Sequence, residues 1–200
     1  MIELTPDLLV GAYSQAIFPM SINGEIAWFS PDPRCIINLD NFHASHSLMR
    51  TYRQGNFALK VNSAFDEVIR ACAHTARKGE LGQEAESTWI SEEIIAVYNQ
   101  LNALGLAHSV EAYLDGKLAG GLYGVHLGGA FFGESMFHWQ TDASKVAMVF
   151  LIERLKERGF TLLDCQYHTD HLQKFGATMI SKSEYERRLE LALKQNCQFE

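Results

Sequence analysis

The sequence predicts an α+β fold with a mixed, largely antiparallel sheet. Three observations predict it: helical periodicity through much of the first half, an antiparallel meander around Asp115-Gly116, and a helix followed by one more apolar strand.

Thr5-Pro6 opens a helix, with Thr as N-cap and Pro at the first helical position. Leu8, Leu9, Ala12, Tyr13 and Ala16 share its apolar face, and Phe18-Pro19 stops it. Trp28-Phe29-Ser30-Pro31-Asp32-Pro33-Arg34 reads as a rigid turn, because each proline fixes its own φ and biases the preceding residue to extended shapes. Cys35 to Leu39 reads as a strand, Ala44 to Arg53 as a helix and Phe57 to Val61 as a strand. Asn62-Ser63 caps a helix through Phe65, Val68, Ile69 and Cys72. His74 to Ser87 is polar and reads as a loop. Ser91 caps the next helix, through Ile94, Ile95, Tyr98 and Leu101, which ends at Gly105.

The clearest β signal follows. Ala107 to Leu114 meets the hairpin dipeptide Asp115-Gly116 and returns as Lys117 to His126. Leu127-Gly128-Gly129 turns into Ala130 to Phe137. Ser144 to Arg158 is a helix with Val146, Val149, Phe150 and Ile152 or Leu155 inward, Phe160 to Cys165 a strand, and Ser183 to Lys194 a terminal helix. The expected division is a small unit over residues 1–40 and a larger one over 41–200.

The 200 residues suit one domain or one domain with a small appendage. No apolar run approaches the ~20 residues of a membrane span, and Met1-Ile2-Glu3-Leu4 has no signal-peptide character. Four scattered cysteines without a CxxC pair fit a reduced, cytoplasmic setting and neither zinc nor a redox pair. The net charge of −7 argues against bulk nucleic-acid binding but allows a local basic patch or a cationic partner.

Glu134 and Asp164 each sit inside an apolar, strand-like run. A charge there costs several kcal/mol unless something pairs with it, so each is either a structural carboxylate held by N–H groups or part of a site. Gly128, Gly129 and Gly133 around Glu134 suit close backbone approach, as near a ligand. Gln166 lies two residues after Asp164 and so shares its strand face, where the pair could orient and relay a proton. Trp28 and Trp89 stand alone in polar surroundings and either plug a core or stack on a base. Arg50, Arg53 and Lys60, with Arg34 nearby, form either a solvated face or a phosphate-contacting patch. His168 and His171 lack a completing ligand set, so no metal is expected. Ser135 is not in a nucleophile elbow, and Cys165 reads as a buried, inert thiol.

At these residues the chain resembles the bacterial leucyl/phenylalanyl-tRNA–protein transferase family. The likeness runs through Ala12-Tyr13 and Ile17-Phe18-Pro19, Trp28 to Arg34, Thr88-Trp89-Ile90, His108-Ser109-Val110-Glu111 and Gly120-Gly121-Leu122-Tyr123-Gly124-Val125. It continues through Phe132-Gly133-Glu134-Ser135-Met136-Phe137, Ala143-Ser144-Lys145 and Asp164-Cys165-Gln166. In order and at compatible spacing, these segments are specific. The resemblance implies a GNAT-like acyltransferase domain. It also implies transfer of leucine or phenylalanine from aminoacyl-tRNA to the N-terminal amine of proteins beginning with Arg or Lys, which marks them for degradation.

The resemblance implies site roles as well. Asp164 would orient Gln166, which draws a proton from the attacking amine, and Glu134 would act electrostatically. Leu122, Phe131, Met136, Met148, Leu151 and Leu163 would build the aminoacyl pocket, and Trp28 and Trp89 would lie by the 3′-terminal adenosine. Arg50, Arg53 and Lys60 would meet the tRNA backbone. No cofactor, no membrane and a monomer are expected. Beside longer family members the chain is short at both ends, implying a trimmed first unit.

The chemistry suits such residues. An aminoacyl ester is already activated, and an α-amine of pKa about 7.7–8.0 needs only modest base assistance, about 10²–10⁴-fold. Met136 and Met148 could adapt to either substrate side chain. A CoA-dependent N-acetyltransferase is the nearest rival, but His138 to Ala143 contains no glycine to cradle a pyrophosphate. A noncatalytic tRNA- or peptide-binding module is the other rival.

Overall fold

The computed structural model describes residues 4–75 and 88–200. The chain runs α1 (Pro6–Ser14), β1 (Phe18–Ile22), β2 (Glu25–Phe29), β3 (Arg34–Ile37), α2 (His46–Gln54), β4 (Ala58–Val61) and α3 (Phe65–His74). It continues with α4 (Glu92–Ala103), β5 (Ala107–Leu114), β6 (Lys117–Leu127), β7 (Ala130–His138), α5 (Ala143–Glu157), β8 (Leu162–Gln166), α6 (Asp170–Gln173), β9 (Ala177–Ile180) and α7 (Lys182–Leu193).

Seven strands form one sheet in the order β4-β5-β6-β7-β8-β3-β9, antiparallel except where β7 meets β8. The expected α+β class with a mixed sheet is the observed one. One face is covered by α1, α3, α4 and α7, through Leu9, Tyr13, Val68, Ile94, Tyr98 and Leu189. The other is covered by α2 and α5, through Leu48, Val146, Val149, Ile152 and Leu155. Each buried side chain of Leu or Ile size contributes roughly 1.5–3 kcal/mol, so both layers are well anchored.

β7 pairs with β8 only over Ala130–Phe132 and Leu162–Asp164. Both strands continue beyond that pairing, and the gap between them is where the site forms. Turn and cap chemistry sets the frame: Asp115 and Gly116 both take positive φ between β5 and β6, and Thr5 accepts from the Leu8 N–H to cap α1.

The structure corrects several readings. Phe18–Ile22 and Glu25–Phe29 form an antiparallel ribbon, so Trp28 lies on a strand and not in a turn; Asn23-Gly24, both at positive φ, makes its bend. Ala177–Ile180 forms an unanticipated strand against β3. α3 has no local side-chain cap. Ser63 instead donates to Glu111, whose buried carboxylate also accepts the Ala64 N–H and so caps the helix from β5. β3 lies inside the seven-stranded sheet, between β8 and β9. Most of the expected loop from His74 to Ser87 lies outside the described residues.

Candidate active site

Glu134 stands where β7 slips register against β6: Gly133 faces Gly124, Ser135 faces Tyr123, and Glu134 has no partner between them. Such a bulge re-aims a side chain. Its carboxylate meets three groups. Tyr13 of α1 donates to Oε1 at 2.6 Å, Gln166 Nε2 donates to Oε1 at 2.9 Å, and Tyr98 of α4 reaches Oε2 at 3.4 Å. The two tyrosine hydroxyls also bond each other. Enclosure by protein pushes the Glu134 carboxyl up to about 7, against the pull of the bonds from Tyr13 and Gln166. The same enclosure, with Glu134 beside them, raises both tyrosines well above their ordinary range, so they remain donors.

Gln166 ends β8 at φ 61°. A glutamine holds that left-handed conformation only where its surroundings enforce it. Here its N–H donates to Asp164 Oδ1 at 2.9 Å while its amide donates to Glu134.

Asp164 lies in a different setting. Arg34 grips it twice, Nε to Oδ1 at 2.9 Å and a terminal nitrogen to Oδ2 at 2.6 Å, and Tyr185 donates to Oδ2 at 2.8 Å. Arg34 is 1% exposed and Asp164 0%. The guanidinium also donates to the Ala16 carbonyl and lies 4.7 Å from the Phe18 ring centre and 4.6 Å from that of Tyr185. Burial works against the charge on Arg34, but the bonds and charge of Asp164 more than offset it.

Asp164 therefore touches the backbone of Gln166 and not its side chain. The partner that orients the amide is Glu134. Arg34, read as part of a basic cluster, is the counter-ion of Asp164 and no surface group.

A cavity of about 270 Å³ opens beside Glu134. Leu122, Met136, Met148, Leu151 and Leu163 line it, together with Cys165, Thr169, His171 and Leu172. Burial, and Cys35 nearby, push the Cys165 thiol well up, which leaves it protonated and inert.

Phe131 is not among the lining residues. Its ring lies over Gly124, where a Cβ would meet it at 2.4 Å, and stacks on Phe199 with ring centres 5.2 Å apart. Gly128 and Gly129 likewise serve packing: a Cβ on either would strike Ala192 or Gln195 near the end of the last helix, far in sequence from any ligand role.

Trp28 is 40% exposed on β2, opposite Pro19, and Trp89 packs on the core beside the same ribbon, its carbonyl accepting the Ser21 N–H. Neither lines the cavity. Arg50 and Arg53 are exposed on α2, and Lys60, exposed on β4, holds its ammonium 4.7 Å from the Tyr113 ring centre. Among the described residues no group of three or more His, Cys, Asp or Glu is placed to hold a metal.

Sequence reasoning missed Tyr13, Tyr98, Arg34 and Tyr185. Arg34 carried a usable signal: an arginine opening the apolar run Arg34–Ile37 needs a buried partner as much as Asp164 does.

A family model described as leucyl/phenylalanyl-tRNA protein transferase matches residues 36–190, and one for that family's N-terminal domain matches residues 2–32. The leucyl/phenylalanyl-tRNA–protein transferase of Herpetosiphon aurantiacus is 50% identical over 98% of this chain and 98% of its own. That of Gloeobacter violaceus is 50% identical over 100% of this chain and 99% of its own. Among solved structures, a GCN5-related N-acetyltransferase-like protein from Streptococcus suis aligns at a TM-score of 0.40 and 13% identity, over 88% of this chain and 64% of that one.

Proposed function

Because the chain belongs to the leucyl/phenylalanyl-tRNA protein transferase family, we propose that Glu134 and Gln166 carry the transfer of leucine or phenylalanine from aminoacyl-tRNA to a protein amine. The observation that carries this reading is the bond from Gln166 Nε2 to Oε1 of Glu134, a carboxylate that itself lines the apolar cavity.

The cavity seats the esterified side chain among Leu122, Met136, Met148, Leu151 and Leu163. Unbranched Met side chains let it take either Leu or Phe. The acceptor α-amine approaches Gln166, whose Oε1 takes its N–H while Nε2 is fixed by Glu134. A carboxamide is a poor base, so the proton passes to Glu134, whose pKa of about 7 lies close to that of an α-amine. Tyr13 and Tyr98 hold the carboxylate in place through that exchange. The amine nitrogen bonds the ester carbonyl carbon, the bond to the ribose oxygen breaks, and that oxygen takes the proton that Glu134 received, which restores the carboxylate. Asp164 positions: it fixes the backbone of Gln166 from a site anchored by Arg34 and Tyr185.

On this reading the acceptors begin with Arg or Lys, which the net charge of −7 and the Glu134 carboxylate in the cavity wall favour. Trp28 and Trp89 stack the 3′-terminal adenosine, and Arg50, Arg53 and Lys60 meet the tRNA backbone. The enzyme works as a monomer in the cytoplasm, and the products enter degradation. The two matched segments meet between residues 32 and 36, which favours a small first unit ending just before β3.

Incubation with radiolabelled Leu-tRNA or Phe-tRNA and peptides beginning with Arg, Lys or Ala tests the reading. Label should enter the Arg and Lys peptides. Equal labelling of the Ala peptide contradicts the acceptor assignment, and no labelling of any peptide contradicts the transferase assignment.

A further inference from the structure

Two helices bring a hydroxyl each to one carboxylate. Thr5 caps α1, which places Tyr13, and Ser91 caps α4, which places Tyr98. Both tyrosines are buried, and their rings pack on Phe132 and Tyr123, with centres 4.8 and 5.8 Å apart. Three oxygen–oxygen contacts close a ring with Glu134: Tyr13 to Oε1 at 2.6 Å, Tyr13 to Tyr98, and Tyr98 to Oε2 at 3.4 Å. Both hydroxyls are neutral, so they bring two protons to three contacts. While Glu134 is ionised, one contact lacks a proton.

The distances decide which one. An O–H···O bond spans about 2.5–3.0 Å, so the Tyr13 proton lies towards Oε1. Tyr98 then donates to the Tyr13 oxygen, and the 3.4 Å contact with Oε2 is the one without a proton. The lone pairs agree. Oε1 already accepts from Tyr13 and from Gln166 Nε2, whereas Oε2 meets Tyr98 alone among the described residues. A proton added to Glu134 therefore belongs on Oε2, and the Tyr98 oxygen stands ready to accept from it. In so enclosed a place an O–H without an acceptor is costly.

We propose that Tyr98 is a positioning residue for the proton transfer: when Oε2 takes the proton of the attacking amine, the new O–H donates to the Tyr98 hydroxyl and completes a ring of three protons on three contacts. The proposal rests on the transferase reading for the source of the proton and deepens it. The amine nitrogen keeps the electron pair of its broken N–H bond, and the ring opens again when Oε2 returns the proton to the leaving ribose oxygen. Tyr13 has the other task. It donates to Oε1 in both charge states and more strongly to the ionised one. The remaining groups that act on the carboxyl are Gln166, which donates to Oε1, and the paired charges Asp164, which pushes it up, and Arg34, which pulls it down. Cys165 and His171 share the cavity, and burial favours the neutral form of both.

The test follows the carboxyl itself. Protein labelled with ¹³Cδ-glutamate is titrated by NMR as wild type, Tyr13→Phe and Tyr98→Phe, and the Glu134 resonance is the one missing from Glu134→Gln. Phenylalanine keeps the ring packing at both positions, and thermal melting checks each fold. Tyr13→Phe removes a donor that favours the ionised form, so the midpoint should rise from about 7 by about one pH unit. Tyr98→Phe removes the acceptor of the protonated form, so the midpoint should fall by about one unit. A purely structural role for the two rings predicts no such opposition of sign. Single-turnover transfer from Phe-tRNA to an Arg peptide is then read against pH. The break at which the slope of the log rate falls from two to one should follow each midpoint, with KM for Phe-tRNA unchanged. Midpoints that rise in both variants make Tyr98 a plain donor and overturn the proposal, as does an unmoved midpoint in Tyr98→Phe. A break that stays fixed while the midpoints part overturns the claim that the ring serves transfer. Absence of transfer by the wild type, with midpoints that part as expected, sinks the transferase reading instead, so the two failures are distinct.

Discussion

Gln166 is held by Glu134, not by Asp164: its amide donates to Glu134 Oε1 at 2.9 Å, and Asp164 reaches only its backbone N–H. The two carboxylates therefore have separate work. Glu134 faces the cavity with a raised pKa, and Asp164 anchors the strand end beneath it.

Removing one member of the Arg34–Asp164 pair leaves the other charged and buried, which costs about 3–5 kcal/mol. Asp164→Asn should lower the thermal midpoint by on the order of 10 °C and reduce transfer. Arg34→Met should do the same. The combined variant should lose less than the sum of the two, as a double-mutant cycle by calorimetry would read. Strict additivity would show that the pair does not couple.

Met136 is half-buried on the cavity wall and can be enlarged without collapsing the core. Met136→Phe should narrow the cavity and lower kcat/KM for Phe-tRNA more than for Leu-tRNA, by a ratio of about tenfold, equivalent to ~1–3 kcal/mol. Competition between the two labelled donors measures this. An unchanged ratio removes Met136 from the pocket.

His108 and His126 are buried and bonded to each other at 2.8 Å. Burial first, then His126, pulls His108 down to about 3, and burial lowers His126 as well. The unfolded chain therefore binds more protons than the folded one, and stability falls as pH drops from about 6.5 towards 3. Glu134 has the opposite sign: its folded pKa is raised, so it favours the fold below about 7 and withdraws that contribution as pH rises from 4.5 through 7. His108→Gln keeps a hydrogen-bonding side chain and loses the titration. Urea unfolding at pH 7 and pH 4 should show a pH-dependent loss that is smaller by a few kcal/mol in the variant. An equal loss in both proteins places the acid sensitivity elsewhere.

Much of this was legible in the chain. The cap at Thr5, the turn at Asp115-Gly116 and the helix start at Ser91 are local signals, and the structure uses all three. The embedded carboxylates Glu134 and Asp164 stood out because an apolar strand does not take a charge without cause. Their partners did not stand out. Arg34 and Asp164 are 130 residues apart, and Tyr13 and Tyr98 sit on helix faces where a ring reads as ordinary core and conceals its hydroxyl. The β1–β2 ribbon was hidden by its mixed burial, although Asn23-Gly24 marks its bend. The gap between β7 and β8 depends on pairing across the whole sheet, which no local pattern encodes.

The most direct measurement is the pH profile of single-turnover transfer from Phe-tRNA to an Arg peptide, for the wild type and Glu134→Gln. In the wild type both Glu134, near 7, and the amine, near 8, must lose a proton, so the logarithm of the rate should climb with a slope approaching two below pH 7. Glu134→Gln should be slower by about 10²–10⁴-fold, with a slope of one set by the amine alone. A variant with wild-type rate and slope contradicts the assignment of Glu134 as the group that receives the proton.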